Sequence, residues 1–220
     1  AAIGEIANAA RIPYLLDACQ SVGQMPVDVD AIGCDMLSAT GRKFLRGPRG
    51  TGFLWVRDHM LDKLEPPFLD LHAASWISAD EYELKPDAKR FETWESFVAG
   101  RAGLCAAAEY AMAWGLEESY ARVRMLADNL RDKLADLPDV TVHDLGVEKC
   151  GIATFQKVGL DAEETVEHLR QQAINIESSS PFSTRLDFED RNLGPLLRAS
   201  VHYYNSDDEI ERFCEVIEGM

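Results

Sequence analysis

Hydrophobic residues recur every three or four positions in the C-terminal half of the chain and predict helices there. The segment 117–137 is expected to be an amphipathic helix, because its apolar residues form one stripe. Ser206 and Glu209 have the spacing of a capping box, so a last helix is expected to start at Ser206. The stripe of 117–137 consists of Val123, Leu126, Leu130, Leu134 and Leu137.

Short apolar runs between these helices predict strands, and Asp161 marks the start of a further helix. Helices beside a short antiparallel sheet form an α+β layer, so residues 117–220 are expected to be a small α+β domain. The predicted strands are 140–142, 152–155, 174–176 and 197–204.

The N-terminal half has a different pattern. After a predicted helix at 1–11, an apolar run ends at Asp17 and is typical of a buried parallel strand. Two further strand-like runs, 36–39 and 52–56, flank a polar turn. Segment 97–116 is apolar on most faces and predicts a buried helix that closes a domain of residues 1–116.

The turn between these two runs presents a hydroxyl, Thr40, and two cationic groups, Arg42 and Lys43. Cations on a turn beside a sheet suit an anionic ligand such as phosphate, and a lysine beside other cations loses its proton readily enough to form a Schiff base. Ligands of open α/β sheets collect at the carboxyl ends of the strands, where Asp17 is also expected. A carboxylate opposite such a lysine is the pairing that pyridoxal phosphate requires. A solvated surface loop and a plain phosphate-binding module are the alternatives.

The sequence around these residues contains four motifs, and together they resemble those of the class V aminotransferase family. This family of fold-type I pyridoxal phosphate enzymes includes cysteine desulfurases and isopenicillin-N-epimerase-like proteins. The resemblance covers the whole chain. It implies an α/β fold, in which part of a large domain with a mostly parallel sheet precedes a small α+β domain. The motifs are Asp17-x-x-Gln20, Val27-Asp28-Val29, Gly33-Cys34-Asp35 and Lys43-x-x-x-Gly47-Pro48-x-Gly50-x-Gly52.

The resemblance also implies roles for the residues of the turn. Lys43 is expected to form the Schiff base, Asp17 to pair with the pyridine nitrogen, and Gln20 to contact the ring oxygen. Thr40 stands where the family has a phosphate-binding Ser or Thr. Arg42 replaces a family histidine that contacts phosphate, and its guanidinium suits the same role.

The resemblance also implies binding roles for two residues that lie far from the turn in sequence. Ser96 falls where the family has a turn that reaches the phosphate of the neighbouring subunit in a homodimer, although Trp94 and Glu95 depart from the usual Gly-Thr there. Arg198, in Arg198-x-Ser200 followed by Tyr204 and Asn205, matches the arginine that grips the substrate α-carboxylate as a bidentate clamp. The implied substrate is therefore a small amino acid.

The reaction type stays open among transamination, elimination and epimerisation. Cysteine desulfurases of the family need a nucleophilic thiol on a loop of the small domain. The corresponding loop here, 178–187, contains serines and no cysteine. This disfavours the desulfurase mechanism and leaves open a C–S lyase that needs no protein thiol.

The composition of the chain argues against some classes of binding partner. A net charge of −16 over 220 residues argues against nucleic acid and anionic membranes, and no apolar run is long enough to span a bilayer. The five cysteines are scattered without paired spacing, which argues against a zinc site and indicates a reducing, cytoplasmic setting.

The start of the chain is unusual for the predicted fold. A doubly wound sheet should have several βα units before the Asp17 strand, so the sequence is expected to lack the N-terminal half of the family's enzymes. The alternative to an enzyme is then a truncated, non-catalytic fragment that keeps its fold and dimerisation surface but has an incomplete cofactor site.

Overall fold

A computed structural model of the protein describes residues 1–220 and divides the chain into two units, Ala1–Leu116 and Glu117–Met220. The secondary structure of the first unit begins with a helix and a mixed sheet. Its elements are α1 (Ala2–Ala10), β1 (Leu15–Asp17), α2 (Val29–Ile32), β2 (Met36–Thr40), β3 (Gly52–Val56), α3 (Asp58–Leu61), β4 (Ala74–Trp76), β5 (Tyr82–Leu84), a 3-10 helix (Ala88–Phe91) and α4 (Val98–Trp114).

The mixed sheet of the first unit has the order β1-β2-β3. β1 and β2 are parallel, with Asp17 opposite Ser38, and β2 and β3 are antiparallel, with Thr40 opposite Gly52. Because parallel strands end at the same edge of a sheet, Asp17 and Thr40 mark neighbouring carboxyl ends. The α/β fold class predicted from the sequence is confirmed, with a mixed sheet in this unit.

The prediction that β1 is buried is wrong for this chain. β1 has only β2 as a neighbour, and Leu15 is 54% exposed. The prediction of a buried α4 is also wrong, because Gly100 is its only buried residue. A helix that is apolar on most faces needs packing partners on several sides, and this chain supplies too few of them.

The second unit is a four-stranded antiparallel sheet with helices. The sheet has the order β6-β7-β9-β8, and its main hydrophobic core joins strand residues such as Phe155 and Leu197 to residues of α5, α6 and α8. The elements are α5 (Leu116–Asp136), β6 (Val140–Val142), β7 (Ile152–Lys157), α6 (Ala162–Gln171), β8 (Glu177–Ser179), α7 (Arg185–Asp190), β9 (Leu196–Ser200) and α8 (Asp207–Glu218).

The predicted helix starts in this unit are confirmed. Asp161 accepts hydrogen bonds from the N–H groups of Glu163 and Glu164, and Ser206 forms the expected capping box with Glu209. Two strand predictions were shifted. Strand pairing begins at Glu177 rather than in 174–176, because Ile174 and Ile176 pack on the core without joining the sheet.

The other shifted strand is β9, which ends at Ser200 and not at residue 204. The aromatic residues beyond it pack on one another instead of continuing the sheet. The His202 ring stacks on Tyr204 at a centroid distance of 4.6 Å. Local ring packing therefore replaces the β-pairing that the aromatic composition predicts.

Candidate active site

The carboxyl ends of β1 and β2 form the floor of the candidate site. The N–H of Ala18 donates to the carbonyl of Ser38 (2.8 Å), so the parallel pairing continues one residue beyond Asp17. Asp17 is exposed at the end of β1, and Thr40 is half-buried at the end of β2. This edge is where ligands bind in open α/β sheets.

The turn after β2 is closed by its own backbone and holds Lys43. The N–H of Gly41 donates to Thr51 O (2.9 Å), the N–H of Gly47 to Gly41 O (2.6 Å), and the N–H of Arg46 to Lys43 O (2.9 Å). These bonds fix the chain on both sides of Lys43, whose side chain is half-buried. The lysine is therefore presented from a constrained backbone.

A second turn packs directly against the backbone that follows Lys43. Gly23 has a φ of +90°, and a Cβ there would lie 2.3 Å from the N atom of Leu45. Only glycine permits both that conformation and that approach. Leu45 is buried beside it. Gly23 thus helps to fix the position of the Lys43 turn.

The carboxylate of Asp17 is held in its ionised form. The pKa of Asp17 is lowered, first by a side-chain hydrogen bond from Cys19 and then by the N–H of Cys19, which donates to Oδ1 at 2.9 Å. Burial opposes this shift, and the positive charge of Lys43 makes a smaller contribution that lowers the pKa of Asp17. Asp17 and Lys43 therefore lie within electrostatic reach of each other.

Cys19 is a member of this cluster that the sequence analysis did not single out. The pKa of its thiol is raised, first by the hydrogen bond with Asp17, then by burial and by the negative charge of Asp17. The Thr40 backbone and the Lys43 charge act in the opposite direction. Its place two residues after the acid, directly before Gln20, is the signal in the sequence that marks it.

The other predicted residues of the turn take different positions. Thr40 Oγ1 donates a long hydrogen bond to Thr51 O (3.4 Å), and Arg42 is exposed. Gln20 is half-buried, and its carbonyl accepts a hydrogen bond from the side chain of the buried Gln24. The ring and phosphate contacts of Gln20, Thr40 and Arg42 stay predictions.

Ser96 lies in a separate exposed loop of the same unit. Arg101 Nη1 donates to Ser96 Oγ (3.3 Å), which adds a cation beside this hydroxyl. The loop is fixed at Trp94, whose N–H donates to Asp70 Oδ2 (2.7 Å). The proposed phosphate contact of Ser96 stays a prediction.

Arg198 lies on β9 of the second unit, opposite Thr154 on β7 and Glu177 on β8. Its neighbours Leu197 and Ala199 belong to the hydrophobic core, so alternation along the strand places Arg198 on the other face of the sheet. The Nε atom of Arg198 is buried and has no hydrogen-bond partner within the chain. Buried donors are normally paired, so this atom is suited to an anionic ligand.

The loop between β8 and β9 contains α7 and serines but no cysteine. Ser183 donates from both its N–H and its Oγ to Ser180 O, each at 3.1 Å. Of the two thiols that flank this loop in sequence, Cys214 is buried in α8, and Cys150 lies before β7, where its carbonyl accepts a hydrogen bond from Arg131. A hydroxyl does not form a persulfide, so this loop provides no sulfur acceptor.

No group of three or more His, Cys, Asp or Glu side chains is arranged to hold a metal ion. None of the helices is long and apolar enough to cross a bilayer.

Comparison with known proteins decides the family. The family model for class-V aminotransferases matches residues 1–213. The chain belongs to the class-V aminotransferase family. Pyridoxal phosphate is the cofactor of this family. A carboxylate and an amine fit its chemistry, and the neighbouring ends of β1 and β2 offer the carboxylate of Asp17 and, in the turn that follows, the amine of Lys43.

Within the family, the chain is similar to cysteine desulfurases. A probable cysteine desulfurase of Methanothermobacter thermautotrophicus is 31% identical over 223 residues, covering 99% of this chain and 55% of that protein. The apo structure of a cysteine desulfurase from Thermococcus onnurineus NA1 has a TM-score of 0.91 at 28% identity, covering 99% of this chain and 54% of the other.

A third similar structure is the cystine C–S lyase C-DES in complex with its reaction product, cysteine persulfide. It has a TM-score of 0.78 at 25% identity and covers 90% of this chain and 50% of the other. The chain therefore spans about half the length of the relatives that it matches.

Proposed function

We propose that the protein is a pyridoxal phosphate-dependent enzyme that acts on an amino-acid substrate through a Schiff base on Lys43. The observation that supports this most directly is the convergence of Asp17 and Lys43 at the carboxyl ends of two parallel strands. When bound, the cofactor supplies an electron sink that stabilises negative charge at the substrate Cα. Side chains of this chain are proposed to carry out the proton transfers and to bind the cofactor and the substrate.

Asp17 holds a proton on the pyridine nitrogen of the cofactor. This role requires an ionised carboxylate, and the low pKa of Asp17 meets that requirement at neutral pH. Lys43 first provides the covalent attachment. As a free amine, Lys43 Nζ would accept the proton from the substrate Cα as general base.

The phosphate and the substrate carboxylate are assigned to further polar groups. Thr40, Arg42 and Ser96 are the proposed phosphate contacts, and Gln20 is the proposed contact of the ring oxygen. Arg198 is the proposed clamp for the substrate α-carboxylate, a role that its unpartnered Nε atom supports.

The cofactor assignment is tested by spectroscopy on the complete protein. Incubation with pyridoxal phosphate is expected to produce an absorbance band of a protein-bound imine. Asp17→Asn is expected to keep this band but to slow substrate Cα–H exchange, measured as deuterium incorporation, because an amide does not hold the pyridine proton. Glu5→Gln, in exposed α1, is the control for loss of one negative charge. Absence of any band in the wild-type protein would refute the proposal.

For the reaction, we propose cleavage of a C–S bond without a protein thiol as acceptor. The similarity to cysteine desulfurases and to a cystine C–S lyase favours a sulfur-containing substrate, and the cysteine-free loop between β8 and β9 favours elimination. We expect cysteine to give pyruvate, ammonia and sulfide, or cystine to give pyruvate, ammonia and free cysteine persulfide, with no persulfide on the protein by mass spectrometry. Alanine with a stoichiometric protein persulfide would instead indicate sulfur transfer and contradict the proposal.

The second candidate function is a non-catalytic fragment that folds and self-associates. Large apolar side chains are exposed in the first unit, including Phe68 at 82%, Trp76 at 73% and Val98 at 72%, and such surface is typical of interfaces. We propose that a second copy covers it in a homodimer, whichever function is right. Self-association of the isolated 220-residue chain without stoichiometric cofactor would support the fragment.

The setting that we propose is cytoplasmic. All five cysteines are free, and two of them, Cys34 and Cys214, are buried. Free thiols are typical of a reducing compartment.

A further inference from the structure

The loop that carries Lys43 is strongly basic, although the chain as a whole is acidic. The chain has 38 acidic and 22 basic residues and a net charge of −16. Between Asp35 and Asp58, however, there are five arginine or lysine residues and no aspartate or glutamate. Four of these cationic residues lie at positions 42–49, which we call the basic loop together with its flanking residues, 41 and 50–51. The four residues are Arg42, Lys43, Arg46 and Arg49.

Backbone hydrogen bonds hold the basic loop in a compact form. The N–H of Gly41 donates to Thr51 O at 2.9 Å, so the two ends of the loop lie side by side. Within the loop, the N–H of Arg46 donates to Lys43 O at 2.9 Å, and Thr51 Oγ1 donates to Pro48 O at 2.6 Å. Cations held on one closed loop act together on an approaching anion, because screening at physiological salt extends over about 8 Å.

The arginines of the basic loop present their charge to solvent. Arg42, Arg46 and Arg49 are all exposed. Neither Arg42 nor Arg49 takes part in an ion pair of the chain. In contrast, Arg57, at the end of β3, forms an ion pair with Asp30 at 2.8 Å. The charge of the basic loop is therefore available to an anion from outside the chain.

The helix that packs against the basic loop does not neutralise it. A Cβ on Gly103 of α4 would lie 2.6 Å from Pro48 Cγ, so the helix and the loop are in direct contact. The guanidinium carbon of Arg46 lies 5.8 Å from the centre of the Tyr110 ring of α4. The charges of α4 sum to zero, because its only charged residues are one arginine and Glu109.

We propose that Arg46 and Arg49 attract the phosphate group of pyridoxal phosphate electrostatically and so speed its arrival at the Lys43 turn. This inference rests on the proposed function. A phosphate monoester carries a charge of about −1.5 to −2 at pH 7, and a chain with a net charge of −16 repels it at long range. A local concentration of the opposite charge raises association rates by about 10- to 10³-fold.

The proposed role differs from that of a phosphate contact. Attraction acts before the anion is bound and needs no fixed geometry, so it affects the association rate and its salt dependence. A contact acts in the bound state and affects the rate of release. Rates of association and release therefore distinguish the two roles.

The test is stopped-flow absorbance of imine formation between the cofactor-free complete protein and pyridoxal phosphate, over a range of salt concentrations. Arg46→Gln combined with Arg49→Gln is expected to lower the second-order rate constant about 10-fold at low salt and to flatten its salt dependence. The rate of cofactor release is expected to stay that of wild type.

Two controls separate attraction from other effects of the substitutions. Lys63→Gln combined with Lys89→Gln removes two exposed positive charges from the same unit outside the basic loop, and it should keep the rate constant of wild type. Pyridoxal has the same aldehyde but no phosphate, so it should react at the same rate with wild type and with both double variants. A change in the reactivity of Lys43 itself would also appear with pyridoxal.

A second measurement needs no cofactor. Trp114 is 59% exposed, and its ring lies 6.3 Å from that of Tyr110, the residue that Arg46 contacts. Quenching of tryptophan fluorescence by iodide depends on the local concentration of an anion, whereas quenching by neutral acrylamide depends on accessibility alone. The arginine double variant is expected to reduce quenching by iodide and not by acrylamide, and Trp114→Phe should remove this difference.

Three results would overturn the inference. They are an unchanged rate constant for pyridoxal phosphate in the arginine double variant, equal slowing with pyridoxal, and iodide quenching equal to that of wild type. Faster release of the cofactor at an unchanged association rate would also contradict it, because the arginines would then be contacts. Absence of an imine in the wild-type protein would instead refute the proposed function, whereas the iodide measurement tests the attraction of anions independently.

Discussion

Replacing Lys43 with alanine is expected to abolish covalent attachment of pyridoxal phosphate and to lower activity by about 10²- to 10⁴-fold, the usual contribution of a general acid–base group. The wild-type protein, reduced with borohydride after incubation with the cofactor, should carry one label on the peptide that contains Lys43. The hydrogen-bonded turn around Lys43 and the nearby Asp17 are the physical reasons for a single preferred lysine.

Two further variants separate the amine of Lys43 from its charge. Lys43→Arg keeps a cation near Asp17 but has no nucleophilic amine, so it should lose the label as alanine does. Lys63→Ala removes an exposed lysine just after α3 and should keep the label. Equal labelling of wild type and Lys43→Ala would show that the aldehyde reacts unspecifically with surface lysines, and the Lys43 assignment would fail.

The sequence predicted the neighbouring ends of β1 and β2, at Asp17 and before the Lys43 turn, because this arrangement depends only on local order. An apolar run that ends in an acid, followed by a second run that ends in a polar turn, places both groups at one edge when the strands are parallel. The burial of β1 and α4 depends on what covers their outer faces, which the residues of those segments do not encode. Both predictions of burial were therefore wrong for this chain.

The sequence likewise did not predict the contacts that form within turns. Cys19 counted only as one of five scattered cysteines, because the hydrogen bond from its N–H to the Asp17 carboxylate follows from the tight turn after β1. Gly23 illustrates the same limit, since its approach to the Leu45 backbone joins two turns that are separated along the chain. Apolar residues also do not specify strand ends, as Ile174 and Ile176 show by packing on the core outside the sheet.

The largest effect on stability is expected at a buried ion pair of the second unit. Arg131 Nε and Asp144 Oδ2 are 2.6 Å apart, and their side chains are only 7% and 9% exposed. Arg131 also donates to the carbonyls of Cys150 and Ile152, and Asp144 Oδ1 accepts from both the N–H and the hydroxyl of Thr154. The pair thereby joins α5 to the first residues of β7.

Asp144→Ala is expected to lower the free energy of unfolding by about 3–5 kcal/mol, because it leaves the buried Arg131 charge with only a longer contact, at 3.5 Å, to the exposed Asp128. Glu167→Ala is the matched control. It removes the partner of Arg170 from an ion pair whose side chains are 56% and 58% exposed, and such pairs contribute about 0–1 kcal/mol. A double variant, Arg131→Met with Asp144→Leu, should recover part of the loss, since neither charge is then left unpaired.

The measurement must report on the second unit specifically. All four tryptophans, Trp55, Trp76, Trp94 and Trp114, lie in the first unit, so their fluorescence reports unfolding there. Urea denaturation followed by far-UV circular dichroism, combined with hydrogen exchange of the Thr154 amide that donates to Asp144, detects loss of the β7 sheet. Equal losses of stability in Asp144→Ala and Glu167→Ala would show that the Arg131–Asp144 ion pair does not hold β7 in place. The hydrogen bonds from Thr154 to Asp144 would then not be what orders β7 beside Arg198 on β9.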